Sequence, residues 1–183
     1  AYCFTPFAQP TMVRKWNSLG MSRTDVTEYE NNLAVWVLGQ TKRAYNVDTG
    51  GVVESEVGYN AQAMPIWVKS YGKLRQAISY NADGTVATVA DGNNNVLTLS
   101  NWKRGIPQLI RHPVTPEAPQ GGTESAIVND NGWITSVTDE TGAVTGYGYD
   151  AMGRLASIVE PTGDAIAAPS NSGNYYNTLR NFR

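Results

Sequence analysis

The feature that most constrains this chain is a gapless internal repeat. Residues 83–113 align with residues 131–161 at an offset of 48, with seven identical positions, where about two are expected by chance. The identical residues are turn glycines, β-formers, an aspartate and a closing proline: Gly84/Gly132, Val89/Val137, Asp91/Asp139, Val96/Val144, Gly105/Gly153, Ile110/Ile158 and Pro113/Pro161. A repeat of this kind predicts a supersecondary unit that buries its apolar face only against neighbouring copies.

Each copy of the repeat predicts three short β-strands. The first follows an Asp-Gly or Asn-Gly pair, a strong hairpin signal, and the third ends at a proline, which cannot donate to a strand ladder. The predicted strands are 85–90, 96–102 and 107–112 in one copy and 133–138, 144–149 and 155–160 in the other. Gly51 and Gly72 mark a degenerate earlier copy, because they show the 21-residue interval that separates the two turn glycines of the other copies.

The repeat pattern divides the chain into three regions. We predict an irregular N-terminal segment at 1–25, a β-repeat array at 26–163, and a tail or incomplete further repeat at 164–183. A Pro/Gly-rich loop at 114–123 lengthens one repeat of the array. The continuous apolar run at 33–38, LAVWVL, predicts a strand buried on both faces.

Composition supports an all-β fold and excludes several classes of function. The chain is rich in glycine (18) and tyrosine (10), and its net charge of -2 argues against nucleic-acid binding. No apolar stretch reaches the 18 residues of a membrane-spanning helix. The one cysteine, Cys3, precludes an internal disulfide framework.

Residues 147–155 read YGYDAMGRL and closely resemble the signature of RHS/YD-repeat proteins, Tyr-x-Tyr-Asp-x-x-Gly-Arg-Leu. Less complete copies lie at 66–74 and 99–107, so the resemblance covers about three quarters of the chain. It implies tandem antiparallel β-hairpins forming a strip or part of a hollow β-shell. In bacterial toxins of this family the shell encloses a toxic domain, and in animals it belongs to a cell-surface adhesion protein. Three or four repeats are too few to close a shell, so enclosure belongs to a larger parent.

The residues of the signature also have individual roles. Asp150 starts a turn and is expected to accept backbone N–H groups, Gly153 is expected to have a positive φ, and Arg154 can reach a carboxylate or stack on a tyrosine. The predicted structural motif comprises Tyr147, Tyr149, Asp150, Gly153, Arg154 and Leu155.

Catalytic and metal sites are not expected. A Cys3–His112 nucleophile pair is conceivable, but His112 aligns with Glu160 at a strand end and Cys3 lies in a terminal segment. Zinc sites need more histidines and cysteines than these two. A weak calcium site at one turn is the alternative, but the turns themselves explain the acidic residues that would form it. Those residues are Asp83, Asp91, Asp130, Asp139, Glu140 and Asp150.

The aromatic residues supply the main alternative. If exposed on a sheet face, a set of aromatic residues would form a carbohydrate-stacking platform, whereas buried aromatics would hold adjacent strands together. The set comprises Trp102 and Trp133, with Trp36, Trp67, Tyr147 and Tyr149. The preferred hypothesis is a non-enzymatic structural segment of a secreted or cell-surface, bacterial RHS/YD-repeat protein, without cofactor. Its expected partners are neighbouring repeats of a longer parent or copies of itself; the alternative is a carbohydrate-binding surface module.

Overall fold

A computed structural model describes residues 2–116, 118–162 and 165–167. The chain divides into two compact units, Ala1–Val96 and Leu97–Arg183. In the described ranges, the regular structure of both units is β-strand, apart from a single 3-10 turn at Val47–Thr49. No helix in those ranges is long and apolar enough to cross a membrane.

The first unit is an antiparallel meander in which each strand pairs with the next along the chain. Consecutive pairing follows from the short turns, which return the chain directly beside the strand it has just left. The strands are β1 Tyr2–Phe4, β2 Pro10–Trp16, β3 Ser22–Asn32, β4 Val37–Asn46, β5 Val52–Tyr59, β6 Pro65–Ser70, β7 Lys73–Tyr80 and β8 Val86–Asp91.

The second unit repeats this arrangement, and its strands again pair antiparallel in chain order. Its strands are β9 Val96–Lys103, whose first residue belongs to the first unit, β10 Ile106–Arg111, β11 Thr123–Val128, β12 Ile134–Thr138, β13 Val144–Tyr149, β14 Leu155–Val159 and β15 Ala165–Ala167. The prediction of tandem antiparallel hairpins is confirmed. The predicted strand at 144–149 coincides with β13, and the other predicted strands of the repeat differ by one residue at one or both ends.

Two sequence-based expectations are wrong. Residues 1–25, expected to be irregular, contain β1, β2 and the start of β3. Residues 33–36, expected within a buried strand, form a turn, and the side chains of Leu33 and Trp36 are 58% and 71% exposed. The reason is Asn32, whose Oδ1 accepts the backbone N–H of Ala34 and thereby starts the turn inside the apolar run.

Each unit has a thin core. Among the described residues, the buried apolar side chains are Ala63 in the first unit and Val128 and Ile158 in the second. Most other strand residues are half-buried, because a sheet without a second layer leaves both faces partly open to water. Hydrogen bonding between strands and cross-strand side-chain pairs therefore supply much of the stability.

Candidate functional site

A five-residue turn recurs through both units and is the local structure that sets the repeat. The backbone N–H of its first residue donates to the carbonyl of the fifth, and the N–H of the fourth donates to the carbonyl of the first. A side-chain oxygen of the first residue accepts the N–H groups of the third and fifth. This complete pattern starts at Thr5, Asn17, Asn60, Asp91, Asn129, Asp139 and Asp150.

The fourth residue of each such turn has a positive φ, which glycine adopts without steric cost. Asn81 starts a further turn with the same backbone bonds, although there the side chain of Asp83 accepts the N–H of Thr85. The fourth residues are Ala8, Gly20, Ala63, Gly84, Asn94, Gly132, Gly142 and Gly153, with φ between 60° and 85°. The Asp-Gly and Asn-Gly pairs of the repeat are thus the third and fourth residues of a longer turn, rather than the centre of a two-residue hairpin.

Asp150 carries the complete turn within the signature. Its Oδ1 accepts the N–H groups of Met152 and Arg154, each at 2.9 Å, and its Oδ2 accepts from Arg154 Nε at 2.7 Å. These bonds favour the ionised carboxylate, and the pKa of Asp150 is therefore lowered, with the backbone N–H of Arg154 the largest cause. Gly153 has a φ of +77°.

Trp133 connects this turn to the preceding hairpin. Its ring centroid lies 5.2 Å from that of Tyr149, with an interplanar angle of 34°. A β-carbon added at Gly153 would lie 2.7 Å from Trp133 Cζ2, so the indole packs directly against the glycine backbone. Gly153 therefore meets two requirements, a positive φ and the close approach of an aromatic ring.

The tyrosines of the repeat make a recurring hydrogen bond to the preceding strand. The hydroxyl of Tyr149, the last residue of β13, donates to the carbonyl of Ile134, the first residue of β12, at 2.8 Å. Burial raises the pKa of Tyr149 and also that of Tyr147, whose register partner in β14 is Ile158. Corresponding bonds run from Tyr29 to Pro10, from Tyr59 to Thr41 and from Tyr80 to Pro65.

The remaining signature residue, Leu155, starts β14 and is the register partner of Tyr149. The side chains of the signature thus connect three consecutive strands and the turn between two of them. A structural role for these residues remains a prediction that mutation can test.

The tryptophans proposed for carbohydrate stacking differ in their surroundings. Trp133 and Trp102 are half-buried, and Trp133 packs on Tyr149 and Gly153 as described. In the first unit, Trp67 contacts the Gly58 backbone and lies beneath the ammonium of Lys69, 4.7 Å from its ring centroid. Trp36, in contrast, is 71% exposed in the β3–β4 turn. Packing between strands explains Trp67 and Trp133, and a carbohydrate site stays a prediction.

A second cluster lies on one face of the second unit and was not anticipated from the sequence. His112 follows β10, Glu124 lies in β11, and Glu140 lies in the turn between β12 and β13. The Nε2 atom of His112 is 2.8 Å from Glu124 Oε1 and 3.5 Å from Glu140 Oε1. The imidazole therefore contacts two carboxylates of its own unit, whereas Cys3 is an exposed residue of the other unit.

His112 and Glu124 are among the residues that line an open groove of about 580 Å³ in the second unit. Most of the groove is apolar, with Leu99, Ile110 and Val137 among its lining residues. From the sequence, His112 was expected at a strand end and Glu140 in a turn, and no sequence feature marked Glu124 as part of a site. The register of β10 and β11 brings His112 and Glu124 together, since Glu124 is opposite Ile110, which precedes His112 by two residues.

Comparisons with known proteins identify the type of repeat. Residues 128–165 match the RHS Repeat family model. Human teneurin-4 is 25% identical over 113 residues, covering 51% of this chain and 4% of teneurin-4, and mouse teneurin-4 matches over the same length with the same identity. This chain therefore spans a small fraction of the length of these relatives.

Solved structures show the same fold. The TcdB2–TccC3 crystal structure has a TM-score of 0.56 and 12% identity, covering 85% of this chain and 9% of that one. The Tc holotoxin pore of Photorhabdus luminescens has a TM-score of 0.52 and 13% identity, covering 82% of this chain and 9% of that one. Together with the complete signature at 147–155, the family-model match and the similarity to teneurin-4 support an RHS/YD-repeat segment, and the solved structures show that its fold is shared.

Proposed function

We propose that this segment is part of the wall of a larger β-shell, in a protein that acts outside the cytoplasm. The observation that carries the proposal is the consecutive pairing of strands in each unit, combined with a thin core. Such repeats gain stability from neighbours on both sides, so they suit a continuous wall better than an independent domain. The far greater length of the teneurin and Tc toxin relatives supports a long parent.

The hydrogen bonds that the polar side chains of the repeat form agree with a structural role. The carboxylates of Asp91, Asp139 and Asp150 and the amide of Asn129 accept backbone N–H groups within their own turns. These oxygens stabilise the chain reversal that each repeat requires. They are consequently engaged in the fold rather than directed toward a substrate.

If the segment is separated from neighbouring repeats, we expect copies of it to associate with one another through their strand edges. Among the described strands, β1 pairs with β2 alone and β15 with β14 alone. An unpaired strand edge presents free N–H and C=O groups that recruit another strand. Only 16% of the residues are charged, so few side chains oppose such pairing.

Light scattering on the purified 183-residue chain, under reducing conditions and across a concentration series, tests this proposal. We expect a mass that increases with concentration, and we expect less association when Cys3 in β1 is replaced by lysine, because a charge on an edge strand disfavours pairing. Ser79→Lys is the matched control, since Ser79 lies in β7, which is already paired on both sides. Extending the chain with the flanking residues of its parent should suppress the association.

The proposal also predicts that stability increases with the number of repeats. The denaturant midpoint of the extended chain should exceed that of the 183-residue chain, because each added repeat contributes a further interface. A monomer at high concentration whose midpoint is unchanged by extension would contradict the wall function.

A further inference from the structure

We propose that His112, Glu124 and Glu140 form a binding site for a divalent first-row transition-metal ion, with zinc as the representative ligand. The imidazole nitrogen and one oxygen of each carboxylate lie within 4.8 Å of one another. Zinc bonds to such atoms are about 2.0–2.2 Å long, which places ligand atoms about 3–4 Å apart around the ion. Small side-chain rotations therefore suffice to position all three ligands.

The three residues come from separate parts of the second unit. His112 follows β10, Glu124 is the second residue of β11, and Glu140 is the second residue of the turn that Asp139 starts. The backbone N–H of His112 donates to the carbonyl of Gly122 at 2.8 Å, which fixes the histidine beside the start of β11. The ligands are thus held by strand pairing and by a hydrogen-bonded turn.

The charges of the cluster favour a cation. Two carboxylates face a single imidazole, and in the described part of the chain neither carboxylate forms an ion pair with lysine or arginine. A neutral imidazole has one N–H, so it can satisfy at most one of these carboxylates through Nε2. A divalent ion would interact with both carboxylates and with the nitrogen at the same time.

The backbone beside the cluster leaves space for Glu140. A β-carbon added at Gly122 would overlap the carboxylate of Glu140, so this carboxylate rests directly on the glycine backbone. Apolar side chains of the groove, including Ile110 and Val137, lie next to His112 and Glu124. The half-buried positions of His112 and Glu124 strengthen their electrostatic attraction to an ion relative to bulk water, whereas Glu140 is exposed.

The ligand types favour a transition metal over calcium. Calcium takes six to eight oxygen ligands, whereas this cluster supplies a nitrogen and two carboxylates. Three protein ligands from imidazole and carboxylate suit zinc, with water completing the coordination. The inference is independent of the wall function, because it depends on one unit of the isolated chain.

The test is titration of the full chain with zinc chloride, followed by calorimetry and by NMR of the histidine ring. His112 is the only histidine, so its imidazole signals report on this site alone. We expect one zinc ion per chain, a shift of the imidazole signals that saturates at one equivalent, and an increased melting temperature. Glu140→Gln should weaken zinc binding at least tenfold, and His112→Gln should abolish the one-equivalent binding.

Two further variants distinguish loss of the proposed zinc site from effects of substitution elsewhere in the chain. Gly122→Ala should weaken zinc binding by displacing Glu140, while Glu30→Gln should leave it unchanged, because Glu30 pairs with Lys42 in the first unit. Glu140 lies in an exposed turn, so its variant is expected to fold even if the His112 variant does not. Zinc binding that leaves the imidazole signals unchanged, equal affinity for the wild type and Glu140→Gln, or no binding at millimolar zinc would overturn the proposal.

Discussion

The hydroxyl of Tyr149 donates a 2.8 Å hydrogen bond to the backbone carbonyl of Ile134 and so connects the end of β13 to the start of β12. Tyr80 makes the same connection to Pro65, between the end of β7 and the start of β6. The two bonds span equal distances along the sequence. The tyrosine at the end of β13 and the one at the end of β7 thus each connect their strand to the preceding strand through the hydroxyl.

Tyr149→Phe should remove this bond and keep the ring contact with Trp133. We expect the free energy of unfolding to decrease by about 1 kcal/mol, the usual contribution of a partly buried hydrogen bond. Tyr71→Phe is the control, because Tyr71 is 63% exposed in a turn, and it should be neutral. Urea denaturation measures both, and equal effects of the two substitutions would show that the hydroxyl bond does not contribute.

Asp150→Ala should destabilise the chain, while Asp150→Asn should be nearly neutral. Alanine removes the oxygen that accepts the N–H groups of Met152 and Arg154, whereas asparagine keeps such an oxygen, as Asn129 does in its own turn. The asparagine variant loses only the exposed ion pair with Arg154, and such pairs contribute little. A denaturant midpoint lowered equally by both substitutions would assign the effect to the ion pair instead.

Gly153→Ala should destabilise the chain more than Gly142→Ala. Both glycines are the fourth residue of the same turn, with φ of 77° and 85°, so both substitutions cost roughly 1–2 kcal/mol of backbone strain. The space around Gly142 is open, whereas a β-carbon at Gly153 meets Trp133. We expect an additional loss of about 1–3 kcal/mol for Gly153→Ala from overpacking.

Thermal or urea denaturation of the two glycine variants provides the comparison. Tryptophan fluorescence should also change in the Gly153→Ala variant alone, because the substitution displaces the indole of Trp133. Equal losses of stability would show that the turn conformation, and not the contact with Trp133, requires glycine at residue 153.

The turn aspartates should make stability depend on acidic pH. The pKa values of Asp83, Asp91, Asp139 and Asp150 lie below the ordinary 3.8, because hydrogen bonds favour the ionised carboxylate. A carboxylate whose pKa is lower in the folded chain adds stability that is complete above its unfolded value and is lost as pH falls through the folded value. We expect a constant denaturant midpoint between about pH 7 and 5 and a decrease below about pH 4.

A variant with asparagine at residues 83, 91, 139 and 150 tests the origin of this dependence. The amide oxygen accepts the same N–H groups without titrating, so the variant should show a flatter profile below pH 4. Parallel profiles for the wild type and the variant would assign the acid sensitivity to other carboxylates, such as Asp25, whose pKa is lowered mainly by a hydrogen bond from Arg23.

Local sequence was sufficient to predict the fold class and most strands of the repeat. Alternation of apolar and polar residues between turn signals located β13 at 144–149, and the signature at 147–155 indicated the repeat type. The positive φ of Gly153 was also predictable, and the aligned Gly105 has a positive φ as well, although it belongs to a two-residue turn with Arg104 rather than to the five-residue turn. Of the predicted tail at 164–183, residues 165–167 form β15, whereas residue 164 and residues 168–183 lie outside the described residues.

One error arose where a single polar residue redirected the chain. Asn32 begins a turn within an apolar run, so hydrophobicity alone wrongly predicted a buried strand at 33–38. The Asp-Gly pair at 83–84 indicated a turn at the correct place, but hydrogen bonding starts two residues earlier, at Asn81. Hydrogen bonds between polar side chains and backbone groups decide where such turns begin, and a hydropathy pattern does not reveal these bonds.

The sequence by itself determined most strands and turns of the repeat, because turn chemistry and alternation act over a few neighbouring residues. Only the tertiary structure decided which distant side chains meet. Strand register places Glu124 diagonally across from His112, and the next hairpin adds Glu140. It likewise brings Trp133 against Gly153. These contacts depend on the register between consecutive strands, and a one-residue shift in that register would direct the side chains to opposite faces.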